Sequence, residues 1–335
     1  MILLSLSINK SFAEKINTDN GIITLMYHRF NENKYPTTNI KNDIFLQHLS
    51  EIRKSKIEFI NFKKFEQVIK TKIVKKYILL TIDDAFQSFY ENAWPILKEN
   101  KIPFILFVST REIDGYGYMT WEQIREITAS NLVTIGNHSH SHDYLVDWEE
   151  KKIRSDLEES IKIFKNRLGY SPKVFSYPFG EYSNNFKKII SDLNFKYAFG
   201  QHSGVIDRTK NLLELPRFSI NEKYGDLKRF KSILKTLPFP YKSITPDDRY
   251  LKTENNPPVV KIKFFENLSN IKKINCYSNE GNIWRKSNIK FVDNNELVIT
   301  LKEKFASERG RINCSLWVAS GQWRWLGIQY VISEY

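Results

Sequence analysis

The sequence lacks any long run of apolar residues. No stretch approaches the roughly 20 consecutive apolar residues that a membrane-spanning helix requires, so an integral membrane protein is excluded. A shorter apolar stretch, Ile2–Ile8, is followed by Ser11–Ala13 and resembles a shortened secretory signal with a small residue at its cleavage point. Because the basic start of such a signal is also missing, residues 1–20 are interpreted either as a signal or as a frayed N-terminus.

Clustered positive charge is absent as well, although the chain carries a formal net charge of +13. Such a charge can suit an anionic polymer, whether nucleic acid, acidic glycan or membrane surface. Here the lysines and arginines are scattered through the whole chain and form no compact block. The pattern predicts a solvated basic surface, and we expect no nucleic-acid partner.

Cysteine is scarce, and both cysteines, Cys276 and Cys314, lie in the last quarter of the chain. They can form one disulfide in an oxidising compartment. The sequence alone does not show whether their Cα atoms lie within bonding range. Two buried free thiols are therefore an equally open interpretation.

The order of the apolar patterns predicts two domains. Between residues 21 and 237, short β-branched or aromatic runs alternate with helical patterns, which is typical of βα units around a parallel sheet or barrel. Residues 238–258 are rich in proline and polar residues and are interpreted as a linker. In residues 259–335 the apolar residues recur with period two, which predicts a smaller β-sandwich.

Individual strands and helices of the first domain can be assigned from these runs. The predicted strands are Ile22–Tyr27, Tyr77–Ile82, Pro103–Val108, Leu132–Ile135, Val174–Tyr177, Tyr197–Gly200 and Leu215–Ile220. The predicted helices are Asp43–Arg53, Ala85–Lys98, Thr120–Ala129, Glu149–Leu168, Asn184–Leu193 and Tyr224–Leu234. Polar side chains follow several of the strands, and the carboxyl ends of parallel strands form the rim that carries active sites in α/β folds.

Two groups of residues at this rim have the chemistry of a metal site. Asp83 and Asp84 are adjacent carboxylates, which need a cation or hydrogen bonds to stay ionised together, although for the pair taken alone a helix N-cap with a first-turn acid is the commoner explanation. His138 and His142 are four residues apart, so both imidazoles can face one ion, whereas His140 between them would point elsewhere. Carboxylate and imidazole ligands together suit zinc.

Other signals are weak when taken singly. Tyr177-Pro178-Phe179-Gly180 marks a turn, and the isolated histidines His28, His48 and His202 are usually structural. The alternating tryptophans of the segment 323–325 offer either aromatic faces for a sugar or base, or core packing.

In combination these motifs are specific. Thr81-Ile82-Asp83-Asp84 after a strand, then His138-Ser139-x-x-His142, then Tyr177-Pro178-Phe179-Gly180, in that order on successive βα units, resemble the polysaccharide deacetylase family. That family includes chitin and peptidoglycan deacetylases. The resemblance covers about residues 21–220 and implies an α/β fold, a distorted (β/α) barrel of the polysaccharide deacetylase type.

The resemblance also implies a role for each motif residue. Asp83 matches the family's general base, while Asp84, His138 and His142 match its metal ligands, for zinc or else cobalt or nickel. The backbone N–H of Phe179 would stabilise the oxyanion of the tetrahedral intermediate.

The chain departs from the family pattern at three places. Ser176-Tyr177 stands where the third motif usually has an arginine that orients the base, and Ala85 replaces a glycine after the aspartate pair. No leucine is followed three residues later by a histidine near the last barrel strand, where the general acid is expected. His202 is the first candidate for that acid and His28 the second.

The resemblance implies an enzyme that removes N-acetyl groups from an amino-sugar polysaccharide or oligosaccharide. Its partner would be the N-acetylated glycan, and its location would be periplasmic or secreted, with a cytoplasmic location also open. Two alternatives remain: a hydrolase of another amide or C–N bond, and a glycan-binding protein that keeps the barrel without turnover.

Overall fold

The structure is a computed structural model that describes residues 19–333 except 266, 267, 269 and 320. The stretch interpreted as a signal or a frayed tail falls almost entirely in residues 1–18, outside the described residues.

A large α/β region comes first in the chain. Its strands are β1 (Ile22–Tyr27), β2 (Arg29–Phe30), β3 (Asn39–Ile40), β4 (Glu58–Phe59), β5 (Tyr77–Ile82), β6 (Phe104–Val108), β7 (Val133–Asn137), β8 (Val174–Ser176), β9 (Tyr197–Phe199), β10 (Val205–Ile206) and β11 (Phe218–Ser219). Its helices are α1 (Asn42–Ser55), α2 (Phe62–Lys70), α3 (Trp94–Glu99), α4 (Trp121–Thr128), α5 (Glu150–Leu168), α6 (Asn184–Asp192) and α7 (Leu227–Lys235).

The main sheet of this region curls toward closure. Its strand order is β10-β1-β5-β6-β7-β8-β9, and β1 and β5 to β9 run parallel. After β9, Leu215 bridges Phe199 and β11 pairs in parallel with β1, so the segment 215–219 joins the two ends of the sheet. The predicted distorted (β/α) barrel is confirmed.

The barrel strands are apolar because both of their faces are covered. Alternate residues of β5 enter different core clusters: Leu79 packs with Phe65 of α2, and Leu80 packs in the cluster that contains Phe45 of α1. A strand that is buried on both faces needs a nearly continuous apolar run, which is what residues 77–82 provide.

The segment after β5 differs from the prediction of a helix over Ala85–Lys98. Asp84 and Ala85 have left-handed φ angles of 73° and 56°, which an α-helix cannot contain. A π-helical turn, Phe89–Ala93, begins only after this loop and leads into α3. The chain therefore leaves β5 through a loop that aims Asp84 at the barrel rim.

The C-terminal region is all-β. Its strands are β12 (Tyr241–Thr245), β13 (Tyr250–Leu251), β14 (Val260–Phe264), β15 (Asn275–Ser278), β16 (Arg285–Lys286), β17 (Asn288–Phe291), β18 (Glu296–Thr300), β19 (Arg309–Trp317) and β20 (Trp323–Ile332). They form two sheets, ordered β12-β14-β18-β17 and β13-β20-β19-β15-β16, whose apolar faces share one core cluster. This is the predicted sandwich.

Residues 238–258 are more regular than the linker that was predicted. They contain β12, which pairs with β14, and β13, which pairs with β20. Proline and polar residues suggested a connection here, but β12 is stabilised by β14 just beyond the segment and β13 by the distant strand β20.

Cys276 and Cys314 form a disulfide between β15 and β19. The two residues are direct cross-strand partners, with Cα atoms 4.0 Å apart. The register of β15 against β19 thus produces a disulfide and not two free thiols.

The long strand β20 joins the sandwich to the barrel. Gly327 donates its N–H to the carbonyl of Ser203 at 2.7 Å, and Leu326 bridges Gly204. A Cβ at position 327 would lie 2.6 Å from the Ser203 backbone, so only glycine allows this approach. Within the described part of the chain, no helix is both long and apolar enough to cross a membrane.

Candidate metal centre

The candidate residues lie at the carboxyl ends of nearby barrel strands, on one rim. Asp83 and Asp84 follow β5, His138 follows β7 at once, and Ser176 ends β8. Because these strands are parallel and close in the sheet, their carboxyl ends bring residues from distant parts of the sequence together.

Asp84, His138 and His142 form a cluster of potential metal ligands. One ligand atom from each lies within 4.8 Å of the others, and Asp84 Oδ1 is 3.4 Å from His138 Nε2 and 3.3 Å from His142 Nε2. Two ligands bound to one zinc ion at about 2.0–2.1 Å in tetrahedral geometry would be roughly 3.3 Å apart. Asp84 Oδ1 is buried and has no hydrogen-bond partner among the described residues. A buried acceptor without a donor, beside two imidazoles, fits a bound cation.

His138 is held in the tautomer that a metal ligand requires. Its Nδ1 lies 2.7 Å from the carbonyl oxygen of Ser176, and because a carbonyl can only accept, Nδ1 carries the proton. The lone pair of Nε2 therefore faces Asp84. Burial lowers the pKa of His138 to about 4, so the ring is neutral at pH 7.

The loop that carries His142 is fixed by its own polar side chains. Ser139 and His142 both have left-handed φ angles, 70° and 52°. Ser139 Oγ accepts the N–H of His142 at 2.9 Å, and Asn137 Oδ1 accepts the N–H of Ser139 at 2.8 Å. These side-chain acceptors hold a conformation that the backbone alone disfavours.

His140 lies in the same loop but outside the cluster. Its Nδ1 is 2.9 Å from Thr110 Oγ1, and its N–H donates to Asp156 on α5. The ring is thus engaged away from the candidate ligands.

Asp83 lies beside the cluster and is paired with an arginine that the sequence analysis did not identify. Arg217 Nη1 and Nη2 contact the two carboxylate oxygens of Asp83 at 2.7 and 2.9 Å, and Nη2 also donates to Ser176 Oγ at 2.8 Å. Burial by itself would raise the pKa of Asp83, but Arg217 and, after it, His138 outweigh burial and lower it to about 2. Asp83 is therefore an ionised carboxylate with a fixed orientation.

Arg217 supplies the orienting cation that Ser176-Tyr177 lacks in the third motif. It is fully buried in the segment that closes the barrel, and its Nε donates to the carbonyl of Gly200 at 2.9 Å. The available signal was a charged residue inside the apolar run Leu215–Ile220, because a buried charge is rare unless it is paired.

The two candidate acids have different surroundings. The His202 ring lies against Tyr182, with ring centroids 6.1 Å apart, and burial followed by the nearby cations Arg249 and Lys210 lowers its pKa to about 3. His28 follows β1 and is near enough to Asp83 to contribute to the lowered pKa of that carboxyl. The structure thus places His28 toward the aspartate, and it places His202 among cations that oppose its protonation.

Phe179 forms an aromatic wall next to the cluster. Its ring centroid lies 4.8 Å from that of His142 and 4.2 Å from that of Tyr144, which stacks on it in parallel. Tyr144 is 40% exposed, so this pair presents an apolar face at the rim. Burial and then the charge of Asp84 raise the pKa of Tyr118 to about 12, which places a second tyrosine near the cluster.

Of the two tryptophans in the segment 323–325, one packs against the core and the other is exposed. Trp325 packs against the main core of the barrel, whereas Trp323 is 41% exposed.

Comparison with known proteins shows what this arrangement is similar to. Residues 70–198, which contain all three motifs, match the polysaccharide deacetylase family. A poly-beta-1,6-N-acetyl-D-glucosamine N-deacetylase of Staphylococcus aureus (strain MSSA476) is 26% identical over 178 residues, which cover 49% of this chain and 60% of that protein. The chain thus spans less than two thirds of that relative.

Solved structures show the same fold. IcaB from Ammonifex degensii has a TM-score of 0.57 and 24% identity, covering 64% of this chain and 97% of that one. The Streptococcus pyogenes deacetylase PplD in complex with acetate has a TM-score of 0.56 and 22% identity, covering 62% and 95%. At these identities the structures establish the barrel fold, and the resemblance inferred from the motifs is confirmed.

Proposed function

We propose that this chain, a relative of the polysaccharide deacetylases, is a metal-dependent hydrolase that removes N-acetyl groups from an amino-sugar polysaccharide or oligosaccharide. The observation that carries this proposal is the convergence of Asp84, His138 and His142 beside the ion-paired Asp83. A carboxylate with a fixed orientation next to three ligand atoms is an arrangement suited to metal-assisted hydrolysis of an amide.

The proposed cofactor is zinc, with cobalt or nickel as substitutes. Asp84 Oδ1, His138 Nε2 and His142 Nε2 would hold it, and three protein ligands leave a position open for water and substrate. When bound, the ion supplies a Lewis acid that polarises the acetamide carbonyl and lowers the pKa of water.

Asp83 is proposed as the general base. It is ionised, and Arg217 holds both of its oxygens, so it can accept a proton from water in one defined orientation. Water adds to the amide carbon, the C–N bond breaks, and the products are acetate and a free amine. The backbone N–H of Phe179 is proposed to stabilise the oxyanion.

The proton for the leaving amine is proposed to come from His202 or His28. The lowered pKa of His202 counts against its protonated form, while His28 lies near the proposed base Asp83.

The substrate class and location rest on three observations. The Staphylococcus aureus relative is a deacetylase of poly-β-1,6-N-acetylglucosamine, which supports a polymer of N-acetylglucosamine. Tyr144, exposed and stacked on Phe179, offers a flat face to a sugar ring. The disulfide Cys276–Cys314 supports an oxidising location, periplasmic or secreted.

Acetate release tests the proposal directly. We expect the purified protein to release acetate from acetylated chito-oligosaccharides or poly-N-acetylglucosamine, to lose this activity with a chelator, and to regain it with zinc, cobalt or nickel. Asp84→Ala should lose both metal binding and acetate release. Asp143→Ala changes an exposed aspartate one residue after His142 and should leave both unchanged.

Two results would contradict the proposal. Acetate release that persists after stoichiometric loss of metal would refute the metal mechanism. Measurable glycan affinity without acetate release under all three metals would favour a glycan-binding protein instead.

A further inference from the structure

The loop that carries Phe179 has a conformation that it cannot maintain by itself. Phe179 and Gly180 both have left-handed φ angles, 58° and 71°. Phe179 is not glycine, so this backbone conformation persists only where its surroundings impose it. A Cβ at Gly180 would lie 2.4 Å from the backbone nitrogen of Gln201, which fixes glycine at that position.

Part of the restraint comes from the C-terminal sandwich. Gln329 on β20 is buried, and its Nε2 lies 3.4 Å from the carbonyl oxygens of both Phe179 and Gly180. Its Oε1 accepts a hydrogen bond from Arg311 Nε at 3.2 Å, so the amide can face the loop in only one orientation. Both carbonyls of the left-handed pair are thus directed at one side chain of the other domain.

Arg309 on β19 contacts the same loop from a second direction. Its Nε forms an ion pair with Glu181, which is 2% exposed. Its guanidinium lies over the ring of Phe179, 5.3 Å from the centroid. The residue that follows the left-handed pair and the aromatic ring of the loop are therefore both held by one arginine.

On its other side, the loop touches the candidate metal centre. The Phe179 ring packs edge-on against His142 and in parallel against Tyr144. A shift of this loop would move both the wall of the site and the backbone N–H assigned to the oxyanion.

We propose that Gln329 and Arg309 are positioning residues, through which the sandwich holds the Phe179 loop in its catalytic conformation. The inference rests on the proposed deacetylase function, because positioning has a kinetic consequence only if the N–H of Phe179 serves the reaction. The sandwich is thus a structural part of the active site, in addition to any role in binding glycan.

Kinetics distinguish positioning from simple adhesion between the domains. Gln329→Met keeps the length of the side chain and removes both amide groups. We expect it to lower kcat about tenfold to a hundredfold, which is at most the effect of losing one oxyanion donor. KM and zinc affinity should stay within about twofold of the unaltered protein.

Arg309→Met should also lower kcat. Arg309→Lys, which keeps the charge, should retain more activity than Arg309→Met. Gln322→Met, just before β20, is the matched control and should behave as the unaltered protein.

Hydrogen exchange gives a readout that does not depend on activity. In Gln329→Met, the peptide that covers residues 177–183 should exchange about tenfold faster, while the peptide over 133–137 on β7 stays protected. If the unaltered protein releases no acetate, the proposed function fails, and this exchange result still decides whether the sandwich restrains the loop. Unchanged exchange and unchanged kcat in both Gln329→Met and Arg309→Met would overturn the inference. If Gln329→Met does not fold, the comparison of Arg309→Lys with Arg309→Met decides it by the same two measurements.

Discussion

Among single residues, Arg217 and Asp83 form a buried pair with a large expected energetic effect. Both side chains are fully buried, and removing one partner of a buried pair leaves the other charge without compensation. We predict that Arg217→Met lowers the free energy of unfolding by about 3–5 kcal/mol at pH 7 and also removes acetate release.

Equilibrium denaturation with urea checks this prediction. The double variant Arg217→Met, Asp83→Asn should recover part of the stability, because the remaining carboxylate is neutralised, yet it should stay inactive. Additive losses in the double variant would show that the two groups do not interact.

His48 gives a prediction for pH. The ring stacks on Phe230, its Nε2 donates to the carbonyl of Gly225 at 2.7 Å, and Tyr27 donates to its Nδ1 at 3.0 Å. Burial lowers the pKa of His48 from 6.5 to about 4, so between these values the unfolded chain binds the proton more readily than the folded one. The stability that the neutral ring contributes is therefore complete above pH 6.5 and is lost as the pH falls toward 4.

Unfolding free energies measured from pH 7 to pH 4 with a chelator present test this expectation. The unaltered protein should lose on the order of 2–3 kcal/mol through His48. His48→Gln lacks a titrating ring and should show a smaller slope over the same range. Equal slopes would assign the pH dependence to other groups, such as His138 and His202, whose pKa values are also lowered.

At the scale of elements, the exposed face of the Tyr144–Phe179 pair is expected to bind sugar. Tyr144 follows the histidine loop and lies just before the short 3-10 turn Leu145–Asp147. Removing an aromatic face costs about 0.5–1.5 kcal/mol, so Tyr144→Ala should raise KM about twofold to tenfold and leave kcat nearly unchanged. Tyr170→Ala alters a similarly exposed tyrosine just after α5 and serves as the control. A fall in kcat at constant KM would instead give Tyr144 a role in the chemical step.

The strands of the barrel were more predictable than the segments that follow them. β1 and β5 have the bounds that their apolar runs predict, and α5 ends at Leu168 as predicted, where Gly169 caps it with a left-handed φ of 81°. The predicted helix over Ala85–Lys98 is wrong at its start, because the left-handed backbone at Asp84 and Ala85 depends on the site and not on local helix propensity.

At the scale of the whole molecule, the disulfide should contribute to the stability of the sandwich. It links residues 38 apart in sequence, and closing a loop of that length restricts the unfolded chain. We predict that the double variant Cys276→Ala, Cys314→Ala lowers the free energy of unfolding by about 2–4 kcal/mol. A reducing agent should lower the thermal midpoint of the unaltered protein toward that of the variant and should not affect the variant. No shift on reduction would mean that the bridge adds little stability.

The sequence by itself determined the alternating strands and helices of the first domain, the period-two strands of the second and the candidate ligands, while the barrel followed from the family resemblance of its motifs. Each of these is encoded within a short stretch: an apolar run specifies a strand, and the spacing of His138 and His142 lies within one loop. Such signals are local, so they can be recognised without knowing which strands are neighbours.

Only the tertiary structure decided which distant residues contact the residues of the site. Arg217 and Asp83 are 134 residues apart in sequence, and Gln329 and Phe179 are 150 apart. Closure of the sheet forms the first contact, and packing of β20 against the barrel forms the second. An arginine or a glutamine looks the same in the sequence whether or not it contacts a residue of the site. Its partner is set by how the strands assemble, because charge pairing and hydrogen bonding act across space and not along the chain.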